Sequence, residues 1–484
     1  MQAKDSTIQF SPVKKKLAYE VIYEYVKDLI ISGTLAAGDK LMSEREMMTK
    51  FGYSHPTIRE AMSMLEKDGL IKINPGRNAV VVELTLDRFK HHLEVMMMLR
   101  EVTPIDLLNY RAAISIEVAG WAAVKRQPAD IELLSNICAQ MEQAYQDADR
   151  IVDLDVEFHS ALNHCAYNLL ASLFSDTLGS IMKQHLNQLF HNLPKIRQRE
   201  SITEIIKSHQ ATLQAVIDQD QARTRELVKI HMDDYYNFAS QAMPFIQPPN
   251  ETDNYVTIKA SQAIYEQIYA KIISGELGTG DRLPSERQLM DMFERSRPSI
   301  REALRMLESE GYINVFPGSK GAVVNKISTE IIERPLGNIM LQGKVSDADL
   351  LEFRTINDIT CLTWAASNRT ETDIEVLSQI IACMKENINN VRIFFEYDVE
   401  FHKAIARSSQ NSIAYIISRV LINLVFDRNM AAVEKYKLQD LQANMQMILS
   451  QHESLLQVII NKQQDKAAES VLSHIKGFEK MMKK

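Results

Sequence analysis

Cysteine is scarce. The 484 residues include four, Cys138, Cys165, Cys361 and Cys383, and no pair has CxxC spacing. A disulfide framework is thereby excluded, and the thiols are expected to be buried and reduced. Long apolar runs are missing too. No stretch reaches the ~18 residues that a membrane helix needs, and the start, Met-Gln-Ala-Lys-Asp-Ser, has no apolar signal core. The expected location is cytoplasmic, with no membrane partner. Positive charge is not in excess either: 55 Lys and Arg face 63 Asp and Glu, a net charge of -8. The chain is therefore no polybasic nucleic-acid binder, and any DNA contact must come from local basic clusters. Strand signals are nearly absent. From about residue 88 to 243 only helical periodicity is found. Hydrophobic and charged fractions of 45% and 24% suit an ordinary globular protein, and the length suggests three or four domains.

The most informative stretch runs from Leu283 to Gly311. Ser285 and Gln288 form a capping box, in which side chain and backbone satisfy each other's orphan groups at a helix start. Ser296 then offers a second N-cap, with Pro298 in the first turn, where a missing N–H costs nothing. Ile300, Ala303, Leu304 and Leu307 share one face of the following helix. Its first turn carries Arg297, Ser299 and Arg301 instead. A recognition helix is built this way: its back packs on the domain and its start meets bases and phosphates. The same pattern fills Leu41 to Gly69 at a constant offset of 242.

The chain reads in order as follows. Residues 1–16 form a flexible polar arm ending in three lysines. A winged helix-turn-helix domain spans 17–84, with a short hairpin around Asn74-Pro75-Gly76. An all-α bundle occupies 88–243, and a Pro-rich linker 244–257. A second winged helix-turn-helix follows at 258–327 and a second bundle at 331–484; one extra residue in the second wing raises the offset to 243. The expected fold class is mainly α: two winged helix-turn-helix domains, each with a β-hairpin wing, alternating with two all-α effector bundles. Arg77 and Lys320, at the two wing tips, are candidates for contact with the DNA backbone or minor groove.

Inside the bundles one constellation repeats. Asp155, His159, His209 and His231 are spaced by 4, 50 and 22 residues, and so are Asp398, His402, His452 and His474. The first pair of each set shares a helix face. Three imidazoles and a carboxylate suit a borderline divalent ion such as zinc, with nickel or another transition metal as the alternative. Duplication copies spacing without function, and a metal-free polar cluster would look the same. However, the second half of the chain has only three histidines, and all three fall on the constellation. The first half has nine, of which six have no counterpart. Arg111 and Arg354 also correspond, as do Asn168 and Asn411. These four are the candidate ligand-binding residues. Each Arg could aim at a metal-bound carboxylate or form a structural ion pair.

These residues resemble a known family. Leu283-Pro-Ser-Glu-Arg, Arg301-Glu-Ala-Leu and their first-half equivalents are similar to the motif of GntR-type regulators. Asp155-Val-Glu-Phe-His159 with His209-Gln-Ala-Thr-Leu, and Asp398-Val-Glu-Phe-His402 with His452-Glu-Ser-Leu-Leu, resemble the FadR C-terminal (FCD) effector domain. The resemblance implies a transcription factor, usually a repressor and not an enzyme, with a metal-assisted pocket for a small organic acid. It implies DNA contacts at Arg45, Thr57 and Arg59 in the first reader and at Arg287, Arg297, Ser299 and Arg301 in the second. Met42 and His55 stand where the family has proline and arginine. Neutral His cannot reproduce the guanidinium fork on guanine, so the first reader is expected to be weaker or differently selective. Family members pair to read near-palindromes. Here two readers share one chain, so an intramolecular pseudo-dimer is expected on an imperfectly palindromic operator, with half-sites about one helical turn apart. Pairing of whole chains is left open. Two other classes compete: an architectural DNA binder with purely structural metal, and a metal-dependent hydrolase.

Overall fold

The computed structural model describes residues 18–73, 78–82, 102–191, 194–242, 260–273, 275–316, 321–325, 337–338, 345–433 and 438–482. The N-terminal arm, the linker at 244–257, Arg77 and Lys320 lie outside the described residues. In chain order, the first reader has helices α1 (Ala18–Ile31), α2 (Glu44–Phe51) and α3 (His55–Lys67), then strands β1 (Ile71–Lys72) and β2 (Val80–Val81). The first bundle has α4 (Pro104–Lys125), α5 (Pro128–Gln143), α6 (Ala148–His164), α7 (Leu169–His191), α8 (Lys195–Ile217) and α9 (Gln221–Ala242). Helix α10 (Ala260–Ile273) follows, then α11 (Glu286–Phe293), α12 (Arg297–Ser309), β3 (Ile313–Phe316) and β4 (Gly321–Val324). The second bundle has α13 (Asp347–Asn368), α14 (Glu371–Glu386), α15 (Val391–Ser408), α16 (Ser412–Val433), α17 (Leu438–Ile460) and α18 (Ala467–Met482).

The fold groups these pieces differently from their order along the chain. One compact unit takes residues from 1–84 and 282–325; the other takes 85–281 and 326–484. In the first unit, α1 lays Ile22, Val26 and Ile30 onto Ile58, Ala61, Met62 and Leu65 of α3, all buried. At the start of α2, Ser43 and Glu46 close the capping box: Glu46 N–H donates to Ser43 Oγ at 3.3 Å and Ser43 N–H to Glu46 Oε2 at 2.7 Å. Gly52 ends α2 at φ 70°, the left-handed region. The matching position of α11 is Glu294, held at φ 52°. One expectation is corrected. Neither Ser54 nor Ser296 caps its recognition helix through a side-chain bond. Their hydroxyls pair instead with Thr57 Oγ1 at 2.9 Å and Ser299 Oγ at 3.1 Å, because those hydroxyls sit one turn ahead and compete for the same lone pairs. Both wings are antiparallel hairpins, with Ile71 opposite Val81 and Ile313 opposite Val324. Lys40 bridges to Val80 and Arg282 to Val323, tying each wing to its helix-turn-helix. Helices α3 and α12 touch within this unit.

The second unit holds the two bundles against each other. Helices α4 and α7 of the first meet α13 and α16 of the second. Tyr110 and Phe353, at matching places in the two copies, are fully buried there, and Phe174 stacks on Phe353 at 4.9 Å and 6°. The core that includes these residues runs continuously across the seam. Burying each such ring contributes about 1.5–3 kcal/mol, so the seam is a core contact and not a loose apposition. Polar contacts repeat by a pseudo-two-fold rule. Asn168 donates through Nδ2 to the Asp349 carbonyl at 3.0 Å, and Asn411 donates to the Asp106 carbonyl at 2.9 Å. Each Asn also accepts, through Oδ1, the N–H of Ala171 or Ala414, capping its own helix. The residues before them, Tyr167 and Gln410, share a left-handed backbone at φ 48° and 59°. The amides of Asn168 and Asn411, the candidate ligand-binding residues, are here engaged in holding the seam.

Candidate metal centres and nucleic-acid interface

Helix α6 carries Asp155 and His159 one turn apart, both buried. Helix α8 brings His209 and α9 brings His231 to the same point. Asp155 Oδ1 lies 3.3 Å from His209 Nε2, 3.2 Å from His231 Nε2 and 3.9 Å from His159 Nε2. All four donor atoms fall within 4.8 Å of one another. Donors around a tetrahedral zinc at ~2.1 Å stand ~3.4 Å apart, so the spacing suits one ion. Hydrogen bonding supports the same fit. Asp155 Oδ1, His159 Nε2 and His209 Nε2 are buried and make no hydrogen bond. Buried polar atoms are rarely left so, and here they converge. The Ile205 carbonyl lies 2.7 Å from His209 Nδ1, which leaves Nε2 as the bare nitrogen facing the cluster. Phe158 packs edge-on against the His209 ring at 4.4 Å and fixes its plane.

The second bundle rebuilds this with differences. His452 Nδ1 meets the Ile448 carbonyl at 2.8 Å, and Phe401 packs on its ring. His402, His452 and His474 gather within the same 4.8 Å, with His402 Nε2 at 3.1 Å from His474 Nε2. Asp398 Oδ1 touches His452 Nε2 at 2.9 Å but does not join the mutual cluster. Metal fit is therefore fuller in the first bundle, with four convergent donors against three.

Burial and charge set the protonation. Burial alone would raise the Asp155 carboxyl, but the His209 and His231 imidazoles against it hold it well below the usual range. Asp398 is likewise lowered against its own burial, by His452 first. Burial drives His159 and His474 well below the ordinary imidazole value and His402 down to about 3. These three imidazoles are neutral and carboxylates ionised at neutral pH, the state in which both offer lone pairs.

Arg354 is buried and lines a cavity with Asp398, His474, Phe395 and Phe426. Arg111 is buried in the first bundle, close enough for its charge to act on His159. The structure thus brings both arginines to the histidine clusters.

In the readers, Arg45, Arg59, Arg287, Arg297 and Arg301 are exposed, while Thr57 and Ser299 are half-buried at the start of their helices. A carboxylate that the sequence pattern did not reveal organises each set. Glu286, at the start of α11, accepts from Arg297 Nε at 2.8 Å and Arg301 Nε at 3.0 Å. These two guanidinium groups hold its carboxyl below the usual value, the Arg301 hydrogen bond first. In the first reader Glu44 takes His55 at 2.6 Å and only approaches Arg59, at 4.0 Å. Glu60 and Glu302, in the recognition helices, are exposed. Glu286 is the first residue of α11, next to the Ser285–Gln288 capping box, and its place at a helix start obscured this second role.

Two helix-turn-helix readers with hairpin wings, in one chain with two six-helix bundles built around histidine clusters, define a DNA-binding regulator with its effector domains. The model of bacterial regulatory proteins of the gntR family matches residues 18–81 and 260–324, and the FCD domain model matches 106–234 and 349–477. The chain belongs to the GntR family of transcriptional regulators, with both of its domains present twice in tandem. The HTH-type transcriptional repressor NanR of Klebsiella aerogenes is 28% identical over 221 residues, covering 45% of this chain and 84% of that protein. NanR of Salmonella newport is 26% identical over 225 residues, 45% of this chain and 83% of its own. Streptococcus agalactiae GntR aligns structurally over 46% of this chain and 99% of its own, at 20% identity and a TM-score of 0.36. The protein is a ligand-responsive transcriptional regulator. Among the described residues no helix is long and apolar enough to cross a membrane.

Proposed function

We propose that a single chain is a complete repressor: two readers engage the two half-sites of one imperfectly palindromic operator, and the bundles sense a small carboxylate. The observation that carries this reading is the reciprocal pair Asn168 to Asp349 and Asn411 to Asp106, a two-fold contact formed inside one chain. Arg45, Thr57 and Arg59 read one half-site; Arg287, Arg297, Ser299 and Arg301 read the other. Arg77 and Lys320 follow the backbone from the wings. Before binding, Glu286 holds Arg297 and Arg301 in place, and DNA takes these guanidinium groups over. His55 lacks the guanidinium fork, so the half-sites differ in sequence.

Asp155, His159, His209 and His231 would hold one divalent ion, and His402, His452 and His474, with Asp398 beside them, a second. Zinc suits the donors best, with nickel or another transition metal as the alternative. When bound, such an ion supplies a Lewis-acidic point for an effector oxygen. The chain's own part is to keep the imidazoles neutral, exclude water with Phe158 and Phe401, and present a guanidinium at the cluster. Coupling to DNA requires the effector to bind the operator-competent state with a different affinity.

The test selects operator DNA from a random pool with the full, metal-reconstituted chain, then determines stoichiometry. The expected result is one chain protecting two unequal half-sites about one helical turn apart. Protection of a single half-site per chain overturns the reading.

A further inference from the structure

We propose that the two effector bundles have diverged in charge, so that only the first binds an external carboxylate, while Asp358 supplies that carboxylate permanently in the second. This rests on the pocket reading above. Arg111 and Arg354 occupy matching places in the two copies, and both are buried, at 5% and 8% exposure. Arg354 is paired: its Nε donates to Asp358 Oδ2 at 3.1 Å, one helical turn along α13, and Asp358 is 9% exposed. Asp358 also shares a small cavity with His402 and His474, so its carboxyl stands on the cluster side of the helix. The residue matching Asp358 in the first bundle is Ser115, buried at 4% exposure and without charge. Among the described residues no carboxylate pairs with Arg111.

A buried guanidinium without a counter-charge is costly, and an anion arriving beside it relieves that cost. Arg also favours carboxylates by its fork geometry. Among the described residues the first bundle therefore presents a buried cation with no paired carboxylate, beside a histidine cluster, which fits a small carboxylate. In the second bundle the cation is already neutralised from within. A carboxylate arriving there would have to displace Asp358 into apolar surroundings, which opposes binding. One chain then takes one anionic effector, in the first bundle.

The experiment follows thermal unfolding of the full, zinc-loaded chain in sodium acetate against sodium chloride at equal ionic strength, with zinc measured in each sample. Acetate is the probe because it is a small monocarboxylate that a guanidinium can hold through both oxygens. The wild type should be stabilised by acetate through mass action. Ser115→Asp should raise Tm without acetate, by roughly 2–4 °C, and lose the acetate increment. Asp358→Ser should lower Tm in chloride and enlarge the acetate increment. Absence of an acetate effect in the wild type, an undiminished effect in Ser115→Asp, or an unchanged one in Asp358→Ser overturns the proposal. Samples that hold no zinc after reconstitution refute the metal-pocket reading instead, and the acetate increments still decide the charge asymmetry.

Discussion

Tyr110 sits at the centre of the seam between the bundles, fully buried, and its hydroxyl donates to Asn357 Oδ1 at 2.9 Å. Asn357 in turn donates through Nδ2 to Ser418 Oγ at 2.7 Å. Burial pushes the Tyr110 phenol well above its ordinary value, so it stays a donor across the accessible pH range. Tyr110→Phe leaves the Asn357 oxygen buried with no donor, which costs about 1–3 kcal/mol. Asn357→Ile strands the Tyr110 hydroxyl and costs a similar amount, while the Ser418 hydroxyl keeps Cys361 Sγ at 3.3 Å. The matching residues on the other side of the seam are Phe353 and Ile114, so this chain already contains the apolar solution. The double variant, Tyr110→Phe with Asn357→Ile, removes both partners together and should recover at least about 1 kcal/mol against the sum of the two singles. Urea unfolding followed by circular dichroism measures all four proteins. Simple additivity of the two losses would show that the seam bond is not coupled and would refute the reasoning.

Three further outcomes are expected. In metal-free protein, burial keeps His402 neutral down to about 3, whereas the unfolded chain takes up that proton below about 6.5. The unfolded state thus binds more protons in this window, so stability is full above 6.5 and falls by about 1.4 kcal/mol per unit as pH drops below it. Urea midpoints between pH 7.5 and 5 check this, and a flat or rising profile toward acid would contradict it. Glu294 holds a left-handed backbone that a side chain disfavours, so Glu294→Gly should stabilise the second reader by up to about 1 kcal/mol, seen as a raised unfolding midpoint. Arg297→His makes the second reader resemble the first and should weaken DNA binding by about 1–3 kcal/mol in a mobility-shift titration; unchanged affinity would remove Arg297 from the reader.

Periodicity and duplication made most of the fold legible. The recognition helices showed their apolar backs at Ile58, Ala61 and Leu65, and at Ile300, Ala303 and Leu307, all of which the structure buries. The histidine clusters were legible because divergence between the copies left those spacings in place. Helix α8 starts at Lys195, directly after Pro194, which takes the N-cap position. What local sequence could not give was the identity of distant partners. A buried Asn repeated in both copies looks the same whether it meets a ligand or the other copy, and Asn168 finds Asp349 across 181 positions of chain. Glu286 was hidden for a related reason: its partners Arg297 and Arg301 lie on the next helix, and only the turn between α11 and α12 brings them together.

The central claim is that one chain is a self-contained pseudo-dimer with two metal centres. Native mass spectrometry of the purified, zinc-reconstituted protein, with metal content determined on the same sample, tests it most directly. The account predicts the mass of one 55.3 kDa chain carrying two ions. A dimeric mass, or a chain that holds no metal after reconstitution, would contradict it.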